Sequence, residues 1–175
     1  MAGASFEVIF DDSQVIDALD RLRAAGEDAS PLMARLGQYG VDSTRRRFFT
    51  ETAPDGSRWK DLNPAYAELK GPGYNILTRS GALMNSLNAR PGRNEVSWGS
   101  PMVYAAIHQF GGKIVPKNKP ALTFLLGNVG SSGLVPVFLV RVKSVTIPAR
   151  PYLGLDADDK AEIVALAMDY MRENL

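Results

Sequence analysis

Cysteine is absent and histidine occurs once, as His108, in these 175 residues. The first absence excludes disulfides, thiolate metal sites and cysteine nucleophiles together, and leaves the redox compartment open. The second means that a histidine metal site would need carboxylates at readable spacing, and none lies near His108. A serine nucleophile paired with His108 would need a strained turn and an orienting acid, which the serine-glycine turns at 80–81 and 130–133 lack. No apolar run approaches the roughly 18 residues of a membrane span, and the opening MAGASFEVIFDD is acidic where a signal peptide is basic. The expected class is a soluble, cytoplasmic, non-enzymatic protein without metal or cofactor. At this length one domain with its own core is expected, over 1–175.

Charge of one sign is missing from neither end nor middle, but it is sorted into blocks. Residues 1 to 28 hold seven acids and two bases, residues 151 to 175 six and two, and the chain as a whole carries +1. Two acidic ends therefore flank a basic middle. Such a layout suits a molecule with one positive and one negative face, packed head to tail with its own copies. The alternative is that the blocks interleave and cancel.

The densest stretch is Val103 to Gly112, VYAAIHQFGG. Val103, Ile107 and Phe110 fall at i, i+4 and i+7 as one apolar stripe, with Tyr104 and His108 stacked beside it, and the two glycines end the helix. A second dense stretch is Ile147 to Gly154, IPARPYLG, where Pro148 and Pro151 hold Arg150 on extended backbone. Arg150 can fork onto a carboxylate or onto helix-end carbonyls, as an internal brace or across a subunit boundary. Trp59 and Trp98 each sit beside polar residues, as packed tryptophans with satisfied N–H groups or as interface anchors.

Around these stretches the expected fold is α+β: a small, mainly antiparallel sheet from strands near 5–10, 95–98, 121–126 and 135–145, with two long and several short helices packed on it. A helix capped by Asp12 or Ser13 carries Val15, Leu19 and Leu22 to about Ala24. A long helix starts with Ser30 as cap and Pro31 in its first turn, and turns Leu32, Leu36, Tyr39 and Phe48 to the core. Short helices follow over 64–69, 80–87 and 103–110. The last helix runs from Asp156 to about Asn174, with Ile163, Leu166, Ala167 and Tyr170 on one face. Between the apolar strands 121–126 and 135–145, GNVGSSG forms the flexible tip of an extended β-hairpin at about 127–134. That loop lacks the lysine and following helix of a phosphate loop, so it reads as a solvent loop or as an arm that adds strand edges to a neighbour.

Four blocks taken together carry a family resemblance: FFTETAPDGSRWKDL at 48–62, LTRSGALMNSL at 77–87, the VYAAIHQFGG run and the IPARPYLG run before a C-terminal helix. From about Arg46 to the end the chain resembles the phage virion morphogenesis family, which includes tail completion proteins of myophages and G proteins of Mu-like phages. The resemblance implies a non-enzymatic virion component at the tail end or neck, assembled in the host cytoplasm. It would complete or terminate the tail as a homo-oligomeric ring of six subunits at the head-proximal end of the tube and allow head-tail joining. Its partners would be its own copies, the tail tube protein and the head-tail connector. A head-side connector or a transient assembly factor of a Mu-like phage is the alternative.

On this reading Tyr104, His108, Gln109, Phe110, Arg150, Tyr152, Asp158 and Asp159 are candidates for subunit and tube contacts. Arg45, Arg46, Arg47, Lys113, Lys117 and Lys119, with Arg90 and Arg93, are candidates for a lumen touching DNA without sequence preference. Competing classes are a carboxylate-metal hydrolase, for which no acidic cluster is seen, and a DNA-binding module, which has no reading signature here.

Overall fold

The computed structural model describes residues 16, 19–20, 29–70, 75–126, 129–130, 133–134 and 138–174. The strand expected at 5–10 lies outside them. Of the first expected helix only Ile16, Leu19 and Asp20 are described; they are helical, and Leu19 packs against the core.

The axis of the fold is α1, Ser30–Thr50. Its N-cap position is taken by Ala29, with no side-chain cap, so the helix starts one residue earlier than a Ser30 cap implies; Pro31 still lies in the first turn, where its missing N–H costs nothing. Leu32, Met33, Leu36, Val41 and Phe48 are buried, while Tyr39 is only partly covered. Gly37 and Gly40 lie on the same helix and let a β-hairpin approach closely. A Cβ on Gly40 would stand 2.6 Å from the Trp98 ring, and one on Gly37 2.7 Å from Ala89 Cβ.

That hairpin is β1 (Asn88–Pro91) with β2 (Val96–Gly99), antiparallel, and it lies against α1. The short helices are α2 (Pro64–Lys70), α3 (Ala82–Asn85, a single turn) and α4 (Ala105–Phe110). The last helix, α5 (Ala157–Asn174), packs on the N-terminal half of α1 through Ile163, Ala167 and Tyr170, with Leu166 partly covered. A second core surrounds the C-terminal half of α1, where Phe48, Trp59, Leu83, Leu87, Tyr152 and Leu153 meet.

The class is α+β, but the described strands form no single sheet. Each pairs with one partner only, always antiparallel. Besides β1–β2 there are β3 (Gly112–Ile114) with β8 (Val145–Ile147), and β4 (Leu122–Leu126) with β7 (Phe138–Val142). The small inner pair is β5 (Val129–Gly130) with β6 (Gly133–Leu134), continuing β4–β7 toward the tip. Of the expected strand 135–145, residues 135–137 lie outside the described residues, 138–142 stay in the hairpin, and after Lys143–Ser144 the chain enters β8 and crosses to β3. Proline at 116, 120 and 148 brackets these pairs and removes the donors that a wider ladder would use.

Candidate assembly interface

The two dense stretches of the sequence interlock. Register pairs Gly112 with Ile147 and Ile114 with Val145, which sets α4 beside the IPARPYLG strand. Gly111 makes the junction possible: its φ is +72°, and a Cβ there would stand 2.6 Å from Ala149 N. Gln109 is the clamp. Its Oε1 accepts the N–H groups of Tyr152 and Leu153, each at 3.0 Å, and its Nε2 donates to Leu153 O at 3.0 Å. From the other side Tyr152 O–H donates to Ala105 O (3.3 Å), and Arg150 N–H to His108 O (2.8 Å).

Arg150 forks onto backbone, Nε to Lys60 O at 2.8 Å and Nη2 to Asp61 O at 3.0 Å. Burial lowers its pKa, against the opposing pull of Asp61 and Glu51. Trp59 Nε1–H donates to Pro151 O (2.7 Å), and the Phe48 ring stands edge-on to Trp59 and tilted against Tyr152. Trp98 donates to Thr44 Oγ1 at 3.2 Å. The tryptophans are thus packed with satisfied N–H groups.

Arg47 and Asp159 join this frame to α5. Both are buried and ion-paired. Arg47 also donates to Gly154 O (3.0 Å) and Asp156 (3.1 Å), while Asp159 accepts from Ser43, from Tyr39 O–H (2.9 Å) and from Asp156 N–H (3.1 Å). Burial alone pushes the Asp159 pKa up, but the hydrogen bonds from Ser43 and Asp156 N–H, the Arg47 charge and the Tyr39 hydroxyl outweigh it, and the net shift is down. The same burial and carboxylate raise Tyr39 to about 12.

The residues expected at contacts therefore fall into two groups. Gln109, Arg150, Tyr152, Asp159 and Arg47 are inside the protomer and bonded to its own chain, because each satisfies backbone or charge that the two interlocked stretches would otherwise bury unpaired. Within the protomer the first four, expected at subunit or tube contacts, and Arg47, expected to face DNA, brace the chain internally, which for Arg150 is one of the two roles expected of it. Tyr104, Phe110 and Asp158 are exposed, as are Lys113, Lys117, Lys119, Arg90 and Arg93, while Arg45 is partly covered. Arg46 is exposed, with its guanidinium over the Tyr39 ring at 5.7 Å and 3.9 Å from Asp159. His108 stacks edge-on with Tyr104, as its spacing implied, but its Nδ1 is buried without a hydrogen-bond partner, and burial together with the Arg150 charge lowers its pKa.

The apolar stripe expected over 103–110 does not face the core as a unit: Val103 lies in the turn before α4, Ile107 is half-buried and Phe110 is exposed. Ala105 and Gln109 point inward, whereas Val103 is 72% and Phe110 63% exposed. Two further exposed apolar residues, Ile114 and Val115, follow within the same segment; with Tyr104 they make five of the nine large hydrophobic side chains exposed among the described residues. The sequence reading missed Ile114 and Val115. Their signal was a run without a single acid from Val103 to Lys119, apolar at its start and lysine-bearing at its end. A monomer rarely concentrates exposed apolar surface in this way unless something covers it. Among the described residues no group of three or more His, Asp or Glu is placed to hold a metal ion, and no helix is long and apolar enough to cross a membrane.

Comparison with known proteins supplies the family. No solved structure matches the chain. It is 30% identical over 159 residues to the Mu-like prophage FluMu G protein 2 of Haemophilus influenzae, covering 91% of this chain and 90% of that protein. It is 32% identical over 152 residues to the putative capsid assembly protein G of Escherichia phage Mu, covering 83% and 81% respectively. The phage virion morphogenesis family matches residues 10–172, and with nearly the whole fold inside that match the chain belongs to the phage virion morphogenesis family.

Proposed function

We propose that this protein completes the phage tail: it acts as a ring at the head-proximal end of the tail tube, ends tube growth and presents a second face to the head connector. The observation that carries the reading is the exposed apolar segment Val103–Val115, mounted on a frame whose polar side chains are spent on internal bonds. A surface of that kind is covered by protein in the assembled state. The β4–β7 hairpin adds a second contact. Among the described residues this hairpin pairs with no third strand, a two-stranded ladder is marginal, and Leu139 is exposed on it, so docking of the hairpin on the tube or on a neighbour would supply a third strand.

Nothing in this reading requires chemistry on a substrate; the protein works as a structural part with its own copies, the tail tube protein and the connector as partners. Exposed Arg46, Arg90 and Arg93, with partly covered Arg45, are arginines available to DNA passing through the ring. The test is the mass of the purified protein by light scattering, alone and with its phage's tail tube protein, together with electron microscopy of particles made without it. A closed oligomer, or one formed only on the tube, is expected, with unjoined heads and tails of unregulated length when the protein is missing. A monomer indifferent to the tube, or complete virions made without it, overturns the reading.

A second reading, a head-side connector or transient assembly factor, is favoured by the name of the phage Mu relative, a putative capsid assembly protein. Absence of the protein from purified virions selects it.

A further inference from the structure

Resting on the ring reading, we infer which surfaces of two copies meet: the basic-apolar segment 103–119 of one subunit docks on the outward face of α5 of the next. The first surface carries exposed Val103, Phe110, Ile114 and Val115, then exposed Lys113, Lys117 and Lys119, and holds no acid. The second is its complement in charge. On α5 the buried positions Asp159, Ile163, Ala167 and Tyr170 define the inward side, which leaves Asp158, Glu162, Ala165 and Asp169 at i, i+4, i+7 and i+11 as one outward stripe. All four are exposed. Ala161 and Ala165 keep this stripe low, and Met168, 47% exposed, lies beside it as an apolar patch for the partner's Val103 or Phe110. Asp169 is tied to Arg172 at 2.9 Å, but both are exposed and such a pair competes weakly; among the described residues Asp158 and Glu162 have no ion-pair partner.

The occupant is a second copy for two reasons. One chain carries both surfaces, the first basic and without an acid, the second mainly acidic with Arg172 among its acids, and its net charge of +1 leaves little repulsion between copies. The two surfaces also differ from each other, so the contact is heterologous, and a heterologous contact is the kind that closes rings larger than a dimer. This takes Lys113, Lys117 and Lys119 out of the DNA-facing set expected from the sequence and leaves Arg45, Arg46, Arg90 and Arg93 in it.

The test uses two full-length double variants, Lys113→Glu with Lys117→Glu and Asp158→Lys with Glu162→Lys. All four sites are exposed, so each variant is expected to keep the wild-type melting profile. Under conditions where the wild type associates, with tube protein present if the tube is required, each variant alone is expected to lose the oligomer, since like charges then face one another. An equimolar mixture is expected to regain it: every contact in an alternating ring then joins an acidic surface to a basic one. If the wild type forms the ring and either variant alone does so equally well, or if the mixture stays dissociated, this pairing of surfaces is wrong and the ring reading stands. If the wild type stays monomeric on the tube, both fall.

Discussion

The buried pair Arg47–Asp159 offers the sharpest check on how the frame is held. Asp159→Asn keeps the side-chain shape but removes the anion that faces the Arg47 guanidinium. Arg47 then keeps Gly154 O and Asp156, the latter half-exposed, so its charge is only partly compensated. Breaking one side of a buried pair costs about 3–5 kcal/mol, and the remaining Asp156 contact places this case near ~3 kcal/mol. For a chain of this size that is a fall in Tm of roughly 6–12 °C. Replacing both partners with apolar residues, Arg47→Met with Asp159→Leu, leaves no unpaired charge and is expected to cost clearly less than the sum of the single changes. The assay is urea unfolding followed by circular dichroism, at a concentration where the chain is monomeric. A loss below ~1 kcal/mol for Asp159→Asn, or single losses that add within ~0.5 kcal/mol in the double variant, would refute the reasoning. The pH dependence has a fixed sign as well. Because the folded pKa of Asp159 lies below its ordinary value, its contribution is complete above about pH 4 and is lost as pH falls further, through the folded pKa. Asp159→Asn should flatten that acid limb.

Two further outcomes follow from the same frame. Gln109→Leu fills the space but leaves Tyr152 N–H, Leu153 N–H and Leu153 O buried without partners, at about 1–3 kcal/mol each, so the chain should fail to fold stably or melt far below the wild type; a near-normal melting curve would mean that the clamp is not formed in solution. His108 has a lowered pKa in the folded state, so stability is fully present above about pH 6.5 and declines as pH falls below it; His108→Phe should remove that decline, and an unchanged slope between pH 5 and 6.5 would assign it elsewhere.

Much of the frame was legible because it follows from local pattern. The periodicity of Leu32, Leu36 and Phe48, and of Ile163, Ala167 and Tyr170, located α1, α5 and their inward faces. The apolar runs around GNVGSSG located the β4–β7 hairpin. What the sequence could not show is which partner a polar residue finds. Gln109 meets groups more than 40 residues away, and Arg47 meets Asp159 at a separation of 112, so both looked like surface residues when read along the chain. The strand pair β3–β8 escaped for the same reason: each strand is three residues long and acquires its partner only when α4 docks on the IPARPYLG segment. Helical spacing over 103–110 predicts one stripe of Val103, Ile107 and Phe110, but Val103 lies in the turn before α4 and Ile107 is half-buried. Phe110 points outward because the opposite face of α4 carries Ala105 and Gln109, small enough and polar enough to close on Tyr152, and Val103 is exposed in the turn before it.

This arrangement links the internal chemistry to the external role. A stretch of chain that turns Gln109 inward and Phe110 outward has not simply failed to bury a ring; burial of the amide is enforced by three hydrogen bonds, and the backbone that carries both residues is fixed by Gly111 at φ +72°. The exposed apolar side chains are consequently held in one place before any partner arrives. Preorganisation of that kind lowers the ordering cost of association, as the proposed ring would require of a contact formed repeatedly and identically. It also means that the internal and external halves can be separated by mutation: loss of Gln109 should remove the fold and the contact together, while loss of Phe110 or the neighbouring lysines should remove the contact alone.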